Sequence, residues 1–194
     1  MPATGGDDGF TLVEIMVVLM IMAILLATAV PTFMGATGAA NDRADQSNLN
    51  TALTALKSQA SQRGQTYSGL TPTIMSASEP SLSWSQSTPS ATTTVSVQGP
   101  VDFYVSADGN GIAVVSYSGV TASCWWVVDN LQPVIDTVGP YGPNLQAAGG
   151  GPTRAPTGAG TFYGESTAPA GGGCDPAIPP TGAKNWASSL SAVT

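Results

Sequence analysis

The sequence has no histidine among its 194 residues. Without histidine the chain cannot form a Ser/His/Asp or a Cys/His catalytic arrangement, and no pair of carboxylates stands out that could replace one. We therefore expect no enzymatic activity, no cofactor and no metal centre.

Charged residues make up only 9% of the chain, and basic ones are the scarcest: five Lys and Arg against twelve Asp and Glu, for a net charge of −7. Contacts from Lys and Arg to phosphates supply most of the affinity of proteins for nucleic acids. A nucleic-acid partner is therefore not expected. Because charge is scarce, Ser, Thr, Asn and Gln must supply most of the surface polarity, as is common in extracytoplasmic proteins.

What the sequence does have is a long apolar run near its N-terminus. From Ile15 to Val30 every side chain is apolar except Thr28. Counted from Phe10 the run is about twenty residues long, which as a helix crosses the ~30 Å core of a bilayer. Glu14 lies about one turn inside the run, where a charge is costly, so a partner or a purpose is expected for it.

The residues that flank this run follow an unusual order. Gly9 comes immediately before Phe10, Glu14 follows four residues later, and Pro31 closes the run. This order resembles the type III signal of type IV pilins and of the pseudopilins of type II secretion. The resemblance implies that a prepilin peptidase cuts after Gly9 and N-methylates Phe10. It also implies that Glu14 pairs with the α-amine of a neighbouring subunit's first residue, and that Pro31 kinks the helix. The alternative for Glu14 is that it caps its own chain's amine or lies at the level of the lipid headgroups.

The leader before Gly9 departs from the usual pattern, because pilin leaders carry Lys or Arg there and this one carries Asp7 and Asp8. Such acidic leaders are similar to those of Gram-positive, especially actinobacterial, pilins. Two alternatives for the N-terminus are an ordinary secretory signal cleaved near residues 27–29 and an uncut membrane anchor. The missing basic region and the carboxylate inside the run both disfavour a secretory signal.

The two cysteines, Cys124 and Cys174, lie far beyond the apolar run. Two cysteines in a Ser/Thr-rich head behind an export signal favour one disulfide; it would close a loop of about fifty residues, worth roughly 4 kcal/mol in the chain-entropy model. The alternative is two unrelated thiols in a reducing compartment. The cysteines, the composition and the resemblance favour a head outside the membrane, although Arg43, shortly after the span, by itself favours the opposite orientation.

We predict an α+β fold in which a long N-terminal helix packs on a small antiparallel sheet. The composition after residue 131 is rich in Gly and Pro and offers little apolar surface to bury, which predicts a long surface loop. The predicted divisions are a leader (1–9), a transmembrane and assembly helix (10–31), the amphipathic half of that helix (32–64), a β-sheet head (65–131), and a disulfide-tied loop with a C-terminal tail (132–194).

An apolar stripe marks the amphipathic half of the helix. Leu49, Leu53, Leu56 and Ala60 recur at steps of four, three and four, and Ala52 lies on the same face. The stripe predicts the face on which the head packs. A coiled-coil partner is the alternative, but the repeat is too short to favour it.

Strand signals follow a polar, Pro-punctuated segment that ends near residue 92. β-branched and aromatic residues predict an antiparallel meander of three or four strands, and the sequence from Asp108 to Gly111 predicts a hairpin turn within it. The four strand-like segments are Thr93–Gln98, Val101–Ser106, Ile112–Tyr117 and Ser123–Asp129. The anchors expected in the polar segment are Tyr67, Leu70, Ile74, Leu82 and Trp84.

Two further groups of residues could bind ligands. Asp102, Asp108 and Asn110 could contribute to a Ca²⁺ site, as in some major pseudopilins, but a hard cation needs six or more oxygens, so a plain hairpin turn is favoured. Tryptophans could stack on sugars or on partner proteins, although core or subunit contacts are favoured. The tryptophans are Trp84, Trp125, Trp126 and Trp186.

The resemblance implies a structural subunit: a single-pass membrane protein that is extracted into a helical homo-oligomeric filament. Its implied partners are the prepilin peptidase and a membrane assembly platform with its ATPase. The two-cysteine loop favours a surface pilus over a type II secretion pseudopilus or a DNA-uptake pilus. The alternative from a different class is a membrane-anchored extracellular module that binds glycan or protein through its tryptophans.

Overall fold

The structure, a computed structural model, describes residues 9–88, 95–136, 139–141, 155–168, 173–176 and 186–189. The predicted leader therefore lies outside the described residues except for Gly9. The chain divides into two compact units, Met1–Ala39 and Ala40–Thr194.

One 51-residue helix, α1 (Leu12–Gln62), contributes residues to both units. The helix continues through Pro31 even though proline removes a backbone donor. In the first unit every side chain from position 9 to position 36 is exposed. The Thr32 hydroxyl donates to the Ala29 carbonyl at 2.9 Å, so this polar side chain is satisfied by its own helix. The first unit therefore presents an almost wholly apolar helical surface.

The second unit is built on a five-stranded sheet whose strands follow chain order. β1 is parallel to β2, and the three other neighbouring pairs are antiparallel. The strands are β1 (Trp84–Gln86), β2 (Val101–Val105), β3 (Gly111–Ser118), β4 (Ser123–Asn130) and β5 (Gly160–Thr167). A short helix, α2 (Pro72–Ser78), precedes β1, and a 3-10 turn (Gly139–Tyr141) lies between β4 and β5. The predicted α+β class is confirmed.

The β2–β3 connection is the hairpin turn predicted between Asp108 and Gly111. Asp108 Oδ1 accepts hydrogen bonds from Ser106 Oγ at 2.6 Å and from the Asn110 N–H at 3.0 Å, which is typical of a turn organised by an aspartate. Gly109 has a φ of 71°, and a Cβ there would lie 2.1 Å from Ser68 Oγ. Backbone conformation and close approach therefore both require glycine at this position.

The predicted stripe of α1 packs on one face of the sheet. Leu49, Leu56 and Ala60 are fully or almost fully buried, and Leu53 is nearly so. They form one core cluster with side chains of three strands; these are Val101 and Phe103 of β2, Ile112 and Val114 of β3, and Trp125 and Val127 of β4. All five predicted anchors lie in or against this cluster: Tyr67, Leu70 and Leu82 belong to it, and Ile74 and Trp84 pack against it. The amphipathic half thus packs on its own head.

The sheet is larger than the sequence predicts. β5 falls in the region that we assigned to a Gly/Pro-rich loop, and β1 falls in the polar segment, where no strand was expected. The predicted strand Thr93–Gln98 is not found: its described part, from Val95 onward, makes only a single bridge to Cys174. β1 and β5 were missed because each depends on pairing with a neighbour rather than on a strong local pattern.

The second face of the sheet is also buried, which the prediction of a loose C-terminal loop did not anticipate. Residues of this face include Tyr104, Ala113, Val115, Trp126 and Val128. They are covered by residues from the C-terminal region, namely Val134, Tyr141, Ala155, Cys174 and Trp186. The expectation that this composition cannot contribute to a core is wrong for these described positions, because they add to a sheet that already exists.

The candidate processing and assembly segment

The expected cleavage site lies just before α1. Gly9 and Phe10 are outside the helix, and the Phe10 side chain is 85% exposed. Nothing lies within 4 Å of the position that a Cβ on Gly9 would occupy. The bond between these residues is therefore accessible, and the fold itself does not require glycine at position 9.

Thr11 and Glu14 cap the start of α1. Glu14 Oε2 accepts hydrogen bonds from the Thr11 N–H at 2.9 Å and from the Thr11 hydroxyl at 2.7 Å. In return the Glu14 N–H donates to Thr11 Oγ1 at 3.3 Å. This reciprocal arrangement is a capping box, which satisfies backbone donors that have no partner within the helix. The pattern of a threonine followed three residues later by a glutamate is visible in the sequence, but a capping box is not among the roles predicted for Glu14.

The capping box is compatible with the predicted pairing of Glu14 with a neighbouring subunit. Both hydrogen bonds from Thr11 reach Oε2. The carboxylate is exposed, so it can accept further donors. Pairing with a neighbouring subunit's α-amine stays a prediction, since the structure contains one chain. Pro31 is likewise exposed on α1, and its predicted part in assembly stays open.

The apolar side chains that follow Glu14 are exposed in this single chain. Ile15, Leu19, Met22 and Leu26 are between 47% and 60% exposed. α1 is long and apolar enough at this end to cross a membrane. An apolar surface of this size is not stable in water, so it requires lipid or other helices around it.

Cys124 and Cys174 lie at disulfide distance, with 1.98 Å between the sulfur atoms and 5.7 Å between the Cα atoms. Backbone hydrogen bonds join Cys174 to Val95: the Val95 N–H donates to the Cys174 carbonyl at 2.9 Å, and the Cys174 N–H donates to the Val95 carbonyl at 2.8 Å. A Cβ on Gly173 would lie 2.1 Å from the Val95 carbonyl oxygen. Glycine before Cys174 therefore allows this close backbone approach.

Of the residues considered for Ca²⁺, Asp108 and Asn110 are joined by hydrogen bonds in the β2–β3 turn, where the Asn110 amide donates to Asp108. Asp102 is buried on β2 and accepts a hydrogen bond from Ser87, whereas Asp108 organises the β2–β3 turn. Partial burial acts to raise the pKa of Asp108, but hydrogen bonds from the Ile135 N–H, Ser106 and Asn110 outweigh it and lower the pKa. Within the described residues no cluster of three or more acidic, His or Cys side chains could hold a metal.

The tryptophans contribute to packing. Trp125 and Trp126 are buried, and Trp84 and Trp186 are half-buried. Trp84 meets Phe103 edge-to-face with ring centroids 6.1 Å apart, and Trp126 meets Trp186 in the same way at 6.5 Å. Core packing is among the roles that the sequence favours for the tryptophans, and it leaves little aromatic surface for stacking on a sugar.

A polar network that the sequence did not reveal joins α1 to the sheet. The Lys57 ammonium lies 2.9 Å from Asp129 Oδ1, and the buried Asp129 carboxylate also accepts from the hydroxyls of Tyr67 and Thr161. Burial, followed by the hydrogen bond to Asp129, raises the pKa of Tyr67. The network fixes α1 to β4 and β5; its partners are far apart in the sequence, so no local motif identifies it.

Comparison with known proteins identifies the N-terminal segment. Residues 6–30 match a family described as "Prokaryotic N-terminal methylation motif". No curated protein and no solved structure matches the chain. The motif and the exposed apolar helix together indicate membrane anchoring. Residues 6–30 are therefore a prepilin-type signal, the signal of type IV pilins and pseudopilins, on an α+β chain of pilin-like arrangement.

Proposed function

We propose that this chain is the structural subunit of a type IV pilus-like filament. A prepilin peptidase cuts between Gly9 and Phe10 and methylates Phe10, and the subunit then polymerises through α1. The observation that carries the proposal is the methylation motif at residues 6–30, whose described part runs from Gly9 into α1, with every side chain exposed from position 9 to position 36.

The exposed half of α1 suits two successive environments. In the membrane, residues 10–31 span the bilayer with the head outside; in the filament, the same surface packs against neighbouring helices. Lipid tails are about as apolar as leucine side chains, so this exchange has little hydrophobic driving force of its own. Extraction therefore depends on a membrane assembly platform and its ATPase. Repeated head-to-tail contacts give an open helical fibre rather than a ring.

Glu14 sets the axial register in this proposal. Cleavage at Gly9 creates an α-amine on Phe10, whose unperturbed pKa of about 7.7–8.0 leaves it mostly protonated at neutral pH. An ammonium and a carboxylate are each costly in an apolar surrounding, so an amine paired with Glu14 of a neighbouring subunit favours one stacking position. The capping box holds the Glu14 carboxylate at the start of the helix, where such an amine arrives.

The head favours a surface pilus over a secretion or DNA-uptake pseudopilus. Its disulfide, and the C-terminal residues that cover the second sheet face, support an extracellular setting, where such a bridge persists. Scarce positive charge is unfavourable for contacts with DNA. The membrane-anchored binding module is less supported, because its candidate ligand-stacking tryptophans are buried or half-buried.

A Glu14→Gln variant separates register pairing from helix capping. Glutamine also serves in a capping box, so the variant keeps the helix start and loses only the charge. We expect normal cleavage and membrane anchoring, but at least about a tenfold loss of filaments, because breaking a desolvated ion pair is strongly destabilising. The measurement is the amount of protein in filaments sheared from native-host cells, compared with Glu79→Gln in the head as the matched control. Wild-type filament yield from Glu14→Gln would remove the register role and leave Glu14 as a cap.

A further inference from the structure

Asp45 of α1 is a buried carboxyl group that filament assembly, as proposed above, does not use. Its side chain is 0% exposed. Oδ1 accepts a hydrogen bond from Ser116 Oγ on β3 at 2.9 Å. Oδ2 is shut off from solvent and has no hydrogen-bond partner among the described residues. One hydrogen bond is little compensation for a buried charge.

The charged group that acts on Asp45 is another acid, Asp42. Asp42 lies one turn earlier on α1 and accepts from the Thr121 hydroxyl of the β3–β4 turn at 2.6 Å. On the sheet, the neighbour that contacts the Asp45 carboxyl group is the neutral Ser116 of β3. The Arg43 side chain is exposed rather than buried beside Asp45. The charge of Asp42 therefore opposes the ionisation of Asp45.

Asp45 lies where the cost of burying its charge affects one short section of α1. Residues 40–48 are the first section of α1 in the head unit, and Asp45 is the only buried side chain among them. The continuous apolar stripe begins at Leu49. Sections with few buried apolar contacts open locally more readily than the rest of a domain. The contact of residues 40–48 with the sheet therefore depends mainly on Asp45 and Asp42.

We propose that Asp45 makes the docking of residues 40–48 on the sheet pH-dependent: this section of α1 is held while the carboxyl group is protonated and loosens when it ionises. The effect is confined to the first section of α1 within the head unit. It follows from the burial of Asp45, its single hydrogen bond and the neighbouring acid Asp42. It does not depend on whether the chain forms filaments.

The direction and range of the effect follow from the pKa. Burial raises the pKa of Asp45 to about 6, the Ser116 hydrogen bond lowers it in part, and Asp42 adds a further increase. When residues 40–48 are undocked, Asp45 has the ordinary aspartate pKa of about 3.9. The docked state therefore binds the proton more tightly. Docking weakens as the pH rises from about 3.9 to about 6, and it does not change with pH below or above this range. Two pKa units correspond to a change of up to about 100-fold in the opening equilibrium.

Hydrogen exchange on the full chain in detergent micelles tests the proposal. Opening constants, corrected for the intrinsic exchange rate at each pH, are compared at pH 4 and pH 7 for peptides within 40–48 and within 52–62. We expect at least about a tenfold larger opening constant at pH 7 for the first section and little change for the second. In Asp45→Asn the pH dependence should disappear, while Asp42→Asn should keep it with a lower midpoint.

A second variant keeps the test decisive if Asp45→Asn folds poorly. Ser116→Ala retains the carboxyl group and removes its hydrogen-bond donor, so the midpoint should move to higher pH. An opening constant for residues 40–48 that is the same at both pH values in the wild type would overturn the proposal. So would a pH dependence that survives unchanged in Asp45→Asn.

Discussion

At the scale of single residues, Gly9 differs from the other glycines that matter in this chain. A Cβ on Gly109, Gly111 or Gly173 would come within 2.1–2.5 Å of a neighbouring atom, whereas a Cβ on Gly9 meets nothing within 4 Å. The fold therefore explains glycine at the first three positions and not at position 9. Recognition by the processing enzyme of the proposed function would explain it, so a substitution there isolates processing from folding.

We expect Gly9→Ala to block cleavage while leaving the fold unchanged. The matched control is Gly35→Ala, which also has open space around its new Cβ and lies far from the cleaved bond. Immunoblots and intact masses from native-host membranes should show mainly the uncut chain for Gly9→Ala and the cut chain for Gly35→Ala. Normal processing of Gly9→Ala would mean that the peptidase does not read this glycine.

Residue-level prediction from the sequence succeeded where the signal is local. The hairpin turn at Asp108 depends on neighbouring residues and was predicted correctly. The Asp129 network and the buried Asp45 were missed, because Tyr67, Lys57 and Thr161 come together only in the fold. A charge on an amphipathic helix is ordinarily solvated, and nothing local in the sequence shows that Asp45 is not.

At the scale of elements, the amphipathic half of α1 is the part that the sequence predicts best. A stripe at helical spacing can be recognised without knowing what covers it, and Leu56 in this stripe is fully buried against the sheet. β5 shows the opposite case. Its Gly164 lies opposite Trp126 and leaves room for Trp186, whose ring would be 3.2 Å from a Cβ there. In sequence that glycine resembles loop composition; in the fold it marks a close contact.

We expect Leu56→Ala to lower the free energy of unfolding of the head by about 2–5 kcal/mol, because it leaves a cavity between α1 and the sheet. The control is Ser58→Ala, an exposed position on the same helix, for which a change within about 0.5 kcal/mol is expected. Denaturant unfolding of the detergent-solubilised chain, followed by tryptophan fluorescence, measures both. Equal stability of the two variants would contradict packing of this stripe on the sheet.

At the scale of the whole molecule, the two units place opposite demands on their surroundings. Ala40–Thr194 has its own core on both faces of a sheet, whereas the first unit exposes apolar side chains along its helix. From the apolar run alone the sequence predicts a membrane segment and a separate head, with boundaries other than these. The sequence does not predict how the C-terminal region covers the second sheet face. That cover comes from scattered residues such as Tyr141 and Trp186, and from a disulfide between two cysteines that are 50 positions apart in the sequence.

The central claim is that the chain is processed as a prepilin, and the mass of its mature N-terminus tests this most directly. Intact-mass and N-terminal peptide mass spectrometry on protein from the native host should find a chain that begins at Phe10 and carries one added methyl group. A chain that begins at Met1, or one cut near residues 27–31, would contradict the account and favour an anchored or secreted binding module.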